Sequence, residues 1–145
     1  FSAQNCEFVC YFDYSGSCVS AKESTISFEN SGLSIYASAY ASAINAEDSL
    51  IKLQGLRINS SAKTAVGISA ANNSCIIDNS EINVIGSYTR ACEFLSVVWN
   101  IQNATLTSQN AIKPQSAIWM DSLSTKNVDF KNKIKGFTSL YIQAN

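Results

Sequence analysis

The sequence predicts an all-β fold, a right-handed parallel β-helix of about six coils with three short parallel strands in each coil. Three observations predict it: a bend motif recurs every 24 or 25 residues, apolar and polar residues alternate before each bend, and two apolar rows follow it. One coil cannot bury its own apolar face, so the stacking of successive coils supplies the core. We expect residues 1–145 to form one such domain, as a segment of a longer chain.

The bend motif consists of Asn, two variable residues and a large apolar residue, with Gly55 replacing Asn once. Asn and Gly both tolerate the left-handed backbone that a sharp bend needs, so this residue marks the corner between two strands. We expect the Asn side chains to point inward and to form a hydrogen-bonded ladder between coils. The predicted ladder contains Asn5, Asn30, Asn79, Asn103 and Asn127, and the motifs end at Phe8, Leu33, Ile58, Ile82, Leu106 and Phe130.

The apolar rows define two further strands in each coil. Those before the bend are Phe1, Ile26, Ile51, Cys75, Trp99 and Leu123, then Ala3, Phe28, Leu53, Ile77, Ile101 and Thr125. Those of the third strand are Val19, Ile44, Ile68, Cys92, Ile118 and Ile142, then Ala21, Ala46, Ala70, Phe94, Met120 and Ala144. Residues 11–17, 36–42, 61–65, 85–90, 109–116 and 133–138 are expected to be loops that could carry specificity. We expect Arg90 in solvent at the edge of such a loop.

The outer face of the third strand contains the candidate binding residues. One outward column is Cys18, Ala43, Gly67, Ala91, Ala117 and Tyr141, and its neighbour is Ser20, Asn45, Ser69, Glu93, Trp119 and Gln143. Small residues predict a flat exposed strip, with Trp119, Tyr141 and Glu93 at one end and Asn45 on the same face. An exposed aromatic ring beside a carboxylate can hold a sugar ring. The alternative is that a loop or a neighbouring chain covers Trp119.

The five cysteines fall into two groups. Cys75 and Cys92 occupy apolar inward rows, where cysteine behaves as a small hydrophobe. Cys6, Cys10 and Cys18 lie in the first coil. Cys10 and Cys18 bracket its loop, and a disulfide between them would fasten that coil in an oxidising environment. We expect no metal site, because the chain has no histidine and no Cys-x-x-Cys pair.

Charge and composition exclude several functional classes. A net charge of −1 argues against nucleic-acid binding, which requires a basic patch, and no stretch approaches the length of a membrane span. Without histidine, Ser-His-Asp and Cys-His chemistry is excluded. We therefore expect no cofactor and no catalytic residues; an enzyme acting on polysaccharides would have to use Glu93, Asp78 or Asp121 as acid or base. Arg57 and Glu81 are expected to form an exposed ion pair between coils.

The coil period and bend residues are accompanied by short motifs. Ser42-Ala43-Ile44, Val66-Gly67-Ile68 and Ser116-Ala117-Ile118 approach a small-small-Ala-aliphatic motif, and Phe28-Glu29-Asn30 approaches Phe-x-x-Asn. With these features the chain resembles the right-handed parallel β-helix superfamily (the pectate-lyase-like fold). It is most similar to the repeats of autotransporter passengers and polymorphic outer-membrane adhesins. The resemblance implies a non-catalytic structural or adhesive segment of an extracellular or cell-surface, outer-membrane-associated protein. The alternative is a carbohydrate-binding or polysaccharide-degrading β-helix.

The same reasoning suggests partners. We expect a glycan or a host or cell-surface protein as ligand. Strands that begin at Phe1 and end near Ala144 would leave unpaired edges, so flanking coils or self-association through the solenoid ends are also expected. No secretion signal is visible at the start of the sequence.

Overall fold

The computed structural model describes residues 1–127 and 131–144, without the side chain of Asn127. Over these residues the chain is a parallel β-solenoid of about six coils with three strands in each coil and no helix, which confirms the predicted fold class. In chain order the strands are β1 (Ser2–Gln4), β2 (Glu7–Tyr11), β3 (Ser15–Lys22), β4 (Thr25–Glu29), β5 (Gly32–Tyr36), β6 (Tyr40–Glu47), β7 (Leu50–Gln54), β8 (Arg57–Ser61), β9 (Thr64–Ala71), β10 (Ser74–Asp78), β11 (Glu81–Ile85), β12 (Tyr88–Leu95), β13 (Val98–Gln102), β14 (Thr105–Gln109), β15 (Ser116–Met120), β16 (Thr125–Asn127), β17 (Lys133–Lys135) and β18 (Ser139–Gln143).

Three parallel sheets surround one core, and each sheet takes one strand from every coil. The first sheet runs from β1 to β16, the second from β2 to β17 and the third from β3 to β18. Most of the predicted inward rows are in register and buried through coil 5. They include Ile26, Ile51, Cys75 and Trp99 in the first sheet, Leu33, Ile58, Ile82 and Leu106 in the second, and Ile44, Ile68, Cys92 and Ile118 in the third.

The corners between the first and second sheets have the predicted left-handed backbone. Asn5, Asn30, Gly55, Asn79 and Asn103 have φ angles between 47° and 63°. The side chains of the four asparagines are exposed, however, so the inward position predicted for them is wrong. The left-handed conformation turns these side chains away from the core. The column is linked from coil to coil by main-chain hydrogen bonds instead of a side-chain ladder. For example, Asn30 N–H donates to the carbonyl of Gln54 at 2.9 Å.

The position just before each strand of the second sheet forms hydrogen bonds between coils. In alternate coils it is a polar residue, whose side chain accepts the N–H of the corresponding residue in the preceding coil. The bonds run from Cys6 N to Ser31 Oγ, from Leu56 N to Ser80 Oγ and from Ala104 N to Asn132 Oδ1, at 3.1, 3.1 and 3.0 Å. These bonds satisfy main-chain donors at the corner that would otherwise be buried without a partner.

A second left-handed corner, between the third sheet and the first, was not predicted. Glu23, Asp48, Asn72 and Ser96 have φ angles between 50° and 55° there. The next position again accepts hydrogen bonds from the preceding coil. The bonds run from Ser24 N to Ser49 Oγ, from Ser49 N to Asn73 Oδ1 and from Val97 N to Ser124 Oγ.

The register predicted for coil 6 is wrong in the first two sheets. Thr125 pairs with Val98, 27 residues away rather than 24, and Asn127 pairs with Asn100, so Asn127 does not belong to the corner column. Leu123, predicted to be inward, is 72% exposed. In the second sheet Ile134 lies opposite Leu106 in place of Phe130, which falls outside the described residues.

Longer connections on both sides of β15 cause this shift. Residues 110–115 join β14 to β15 and include the only proline, Pro114. A further turn, residues 121–124, is capped by Asp121, whose carboxylate accepts the Ser96 N–H at 3.0 Å and the Ser124 hydroxyl at 2.7 Å. These donors, the Ser96 N–H first, hold the pKa of Asp121 below its usual value.

The third sheet differs from the prediction in two ways. In coil 6 Tyr141 lies opposite Ile118 and Ile142 opposite Trp119, so the predicted inward and outward residues are exchanged by a slip of one position. The column of small residues is also buried rather than exposed: Ala43, Ala91 and Ala117 are each 0% accessible. The third strands of the first four coils are eight residues long and start where loops were predicted, which shortens those loops.

The predicted ion pair between Arg57 and Glu81 is also wrong, because Arg57 pairs with Glu7, two coils away. Gly32 lies between them in the column. A Cβ at Gly32 would lie 1.8 Å from Glu7 Oε2, so the absence of a side chain there lets the Glu7 carboxylate cross over coil 2. Both charged side chains are more than half exposed, so the pair contributes little stability.

Substituting Gly67 by alanine tests the buried position of the small-residue column. A Cβ at Gly67 would lie 2.5 Å from both Ala91 O and Ile82 Cγ2. We therefore expect Gly67→Ala to lower the free energy of unfolding in urea by about 1–3 kcal/mol. At an exposed strand position the same change would raise it by about 0.5–1 kcal/mol. Ser20→Ala, exposed on the same sheet, is the control and should change it by less than about 0.5 kcal/mol. A stabilising Gly67→Ala would contradict the buried placement.

Candidate functional site

The outer face of the third sheet brings three of the four predicted binding residues into one column. Asn45 pairs with Ser69, Ser69 with Glu93, and Glu93 with Trp119. These residues are exposed or half-buried, as outward positions are. Because consecutive coils are hydrogen-bonded along the whole column, its side chains stand at the fixed spacing of neighbouring strands, about 4.8 Å.

Tyr141, the fourth predicted residue, does not join this column. Its ring lies on the other side of the sheet, with its centroid 6.2 Å from that of Trp99. Lys126 Nζ lies 3.9 Å from the Tyr141 ring centroid and donates a hydrogen bond to its hydroxyl. The slip of one residue in coil 6 exchanges the faces of Tyr141 and Ile142, so Tyr141 and Trp119 cannot bind one ligand together.

A half-buried ion pair forms the centre of the site. Arg90 Nη1 lies 2.9 Å from Glu93 Oε1, and the two side chains are 32% and 29% exposed. Arg90 Cζ also lies 5.3 Å from the centroid of the Trp119 ring, within range of a cation–π interaction. The prediction that Arg90 lies in solvent at a loop edge is therefore wrong. Its guanidinium covers part of the Trp119 face that a sugar ring would need.

A cleft of about 280 Å³ opens beside this ion pair, between the starts of the third strands and the 110–115 connection. Its walls combine an exposed aromatic ring, two cationic groups, a carboxylate and several hydroxyl and amide groups. The lining residues are Thr64, Ala65, Val66, Tyr88, Thr89, Arg90, Glu93, Lys113 and Gln115. This mixture of donors, acceptors and one flat apolar surface suits a polyhydroxylated ligand better than an apolar one.

Tyr40 lies against the same ion pair from two coils away. Burial is the main cause that raises the pKa of Tyr40 above its ordinary value of 10.0, and the Glu93 carboxylate adds to it. The Ser42 and Ser69 hydroxyls and Arg90 act in the opposite direction. Tyr40 is therefore a neutral phenol near physiological pH, able to donate and accept hydrogen bonds but not to act as a base.

The other acidic candidates lie elsewhere. Asp78 accepts a hydrogen bond from Asn103 Nδ2 at 3.0 Å near the first corner, and Asp121 caps the turn after β15. Neither lines the cleft that contains Glu93. Across residues 1–127 and 131–144, no three His, Cys, Asp or Glu side chains are placed to share a metal ion.

A second depression of about 320 Å³ lies at the corner around Gly55. Its walls are mostly exposed polar groups, among them Asn30, Asn79 and Glu81. It lacks an aromatic wall and a half-buried charge, so the cleft beside Arg90 is the better candidate for a binding site.

Several residues that line the cleft or lie near its ion pair were not predicted. Tyr40 and Tyr88 fall where loops were expected, but they pair with Thr64 at the start of eight-residue strands. Lys113 and Gln115 belong to the connection that makes coil 5 longer. The 26-residue step between Cys92 and Ile118 signalled that extra length in the sequence.

Comparison of the chain with protein-family models, with curated proteins and with solved structures gives no match. In the part of the chain that the structure describes, no helix has the length and apolarity of a membrane span.

The environment of Tyr40 predicts a pH dependence of stability. Its pKa is raised in the folded state, so as pH rises past about 10 the unfolded chain loses the Tyr40 proton first. Stability should therefore decline through that window and level off above the folded pKa. In urea unfolding between about pH 8 and pH 11, Tyr40→Phe should show a smaller decline than the wild type. Tyr14→Phe, at an exposed position, should match the wild type. An equal decline in Tyr40→Phe would contradict the half-buried placement of this phenol beside Glu93.

Proposed function

We propose that this chain is a non-catalytic, adhesive segment of an extracellular or cell-surface protein, and that it binds its ligand in the cleft beside Arg90. The observation that carries the proposal is the fixed geometry of that cleft. Arg90 is held by Glu93 and lies over Trp119, on strands that are hydrogen-bonded to both neighbouring coils. Charged groups held in place before binding lose little side-chain entropy when a ligand arrives.

A carbohydrate is the ligand class that best fits these walls. Tyr88 is 55% exposed and offers a flat ring, while Arg90, Lys113 and Gln115 offer donors and Glu93 an acceptor. Sugar rings present apolar faces and many hydroxyl groups, and both kinds of contact are provided here. In this proposal Tyr88 takes the stacking role that the sequence suggested for Trp119, since Arg90 covers part of the Trp119 ring.

The chemistry of the cleft supports binding over the alternative, polysaccharide degradation. Glu93 is the one carboxylate among the lining residues and is engaged by Arg90 at 2.9 Å, so the cleft lacks the pair of carboxyl groups that glycoside hydrolysis uses. The raised pKa of Tyr40 keeps this phenol protonated, so it is a poor base. A screen against neutral and acidic polysaccharides should therefore yield neither new reducing ends nor unsaturated products. Turnover that depended on Glu93 would contradict this part of the proposal.

The extracellular location rests on the resemblance to autotransporter passengers and outer-membrane adhesins. A stacked solenoid displays a long lateral surface, which suits a protein that contacts a glycan or a protein of another cell. Protease treatment of intact source cells tests the location: cleavage of this segment without lysis is expected. Cleavage only after lysis would exclude surface exposure.

Substituting Tyr88 tests the binding site. On a glycan array followed by calorimetry, Tyr88→Ala should weaken the strongest carbohydrate interaction of the wild type at least tenfold, about 1.4 kcal/mol, because the stacking surface is lost. Tyr14→Ala is the matched control: Tyr14 is 74% exposed and lies in coil 1, away from the cleft. Unchanged affinity in Tyr88→Ala would exclude this cleft, and the absence of any glycan interaction in the wild type would exclude the ligand class.

A further inference from the structure

Two thiols of the first coil lie next to each other at the edge of the core. Cys10 is on β2 and Cys18 on β3, and both are partly buried against the same apolar cluster. Cys18 Sγ lies 3.5 Å from the carbonyl of Ser34, and the next residue, Ile35, is the direct pairing partner of Cys10. The Cys18 thiol is thus directed across the corner toward the Cys10 position.

The surroundings of Cys18 agree with this geometry. Burial is the main cause that raises the pKa of Cys18 far above its ordinary range. A hydrogen bond with the Cys10 thiol and the electrostatic effect of Cys10 raise it further. In the coils above, the Cys10 position is taken by Ile35, Ser60, Val84 and Ser108, and the Cys18 position by alanine or glycine. Only coil 1 places two sulfur atoms at these facing positions.

We propose that Cys10 and Cys18 are a covalent cross-linking site, which a low-molecular-weight disulfide oxidises to an intrachain disulfide that fastens β2 to β3. One thiol loses its proton and attacks the oxidant, which releases one thiol and leaves a mixed disulfide. The second cysteine thiolate then displaces the other half of the oxidant. Two electrons pass to the oxidant, its S–S bond becomes two thiols, and one S–S bond forms in the protein.

The other cysteines are expected to stay reduced. Cys75 and Cys92 are fully buried in the core, where a dissolved disulfide cannot reach them, whereas Cys10 and Cys18 are partly exposed. Cys6 follows the corner at Asn5, and its thiol donates to the Gln4 carbonyl at 3.2 Å. The disulfide would close the turn that contains Phe12 and Tyr14, and this constraint on the unfolded chain should raise the urea midpoint of unfolding.

The experiment uses the folded chain, incubated with oxidised glutathione and then alkylated in denaturant. We expect the number of free thiols to fall from five to three. Chymotrypsin cleaves after Tyr11, so the peptides that contain Cys10 and Cys18 should stay joined until they are reduced. The joined pair should persist in Cys6→Ser and disappear in Cys18→Ser.

Alkylation of both Cys10 and Cys18 in the wild type after incubation would overturn the proposal, and so would a link from either of them to Cys6. The wild-type peptide map decides between these outcomes even where a variant fails to fold. Oxidation in urea is a further control: there all thiols are exposed, and mixed pairings are expected to replace the single pair. A single Cys10–Cys18 link formed equally well in urea would show that the folded corner does not direct it, and would overturn the structural argument.

Discussion

Each of the first four coils turns twice through a residue whose backbone is left-handed, and the main-chain N–H groups at those turns are satisfied by the next coil. Asn30 N–H donates to Gln54 O, and Asp48 N–H donates to Ala71 O at 3.0 Å, so the ladder of each sheet continues around the corner. Residues other than Gly, Asn and Asp are disfavoured in this conformation by about 1–2 kcal/mol. Glu23 and Ser96 adopt it nevertheless, which indicates that stacking of the coils outweighs the local preference.

The candidate site depends on the same stacking. Tyr40, Tyr88 and Trp119 belong to three different coils, and only the register between coils brings them to one surface. Arg90 can lie over Trp119 because the long connection of coil 5 delivers β15 beside β12 after 26 residues rather than 24. The same insertion contributes Lys113 to the cleft wall. The insertion that accounts for most of the displacement of coil 6 in the first sheet thus also shapes the cleft.

The sequence predicted the fold correctly where one type of residue repeats at a position that only that type suits. Repeating apolar rows, such as Ile44, Ile68 and Ile118 in the third sheet, predicted the inward face of each sheet, and an Asn or Gly at the corner predicted the first bend. The second bend escaped prediction because Glu, Asp, Asn and Ser share that column, so no single residue type repeats. Ala43 and Gly67 were placed outside because small residues suit either a flat surface or a tightly packed core, and only packing against Ile82 and its neighbours decides between them. The partnership of Arg90 with Trp119 could not be predicted, since residues 85–90 were expected to form a loop, whereas Arg90 belongs to β12.

Native-state hydrogen exchange measures the corner bonds most directly. If the stack is continuous around each corner, the amides of Asn30, Gly55 and Asn72 should be protected to the same degree as the strand amide of Ile51, because all of them open only when neighbouring coils separate. Asn110, in the connection after β14, should exchange much faster. Corner amides that exchanged as fast as Asn110 would contradict the account, since the coils would then be joined only within their sheets.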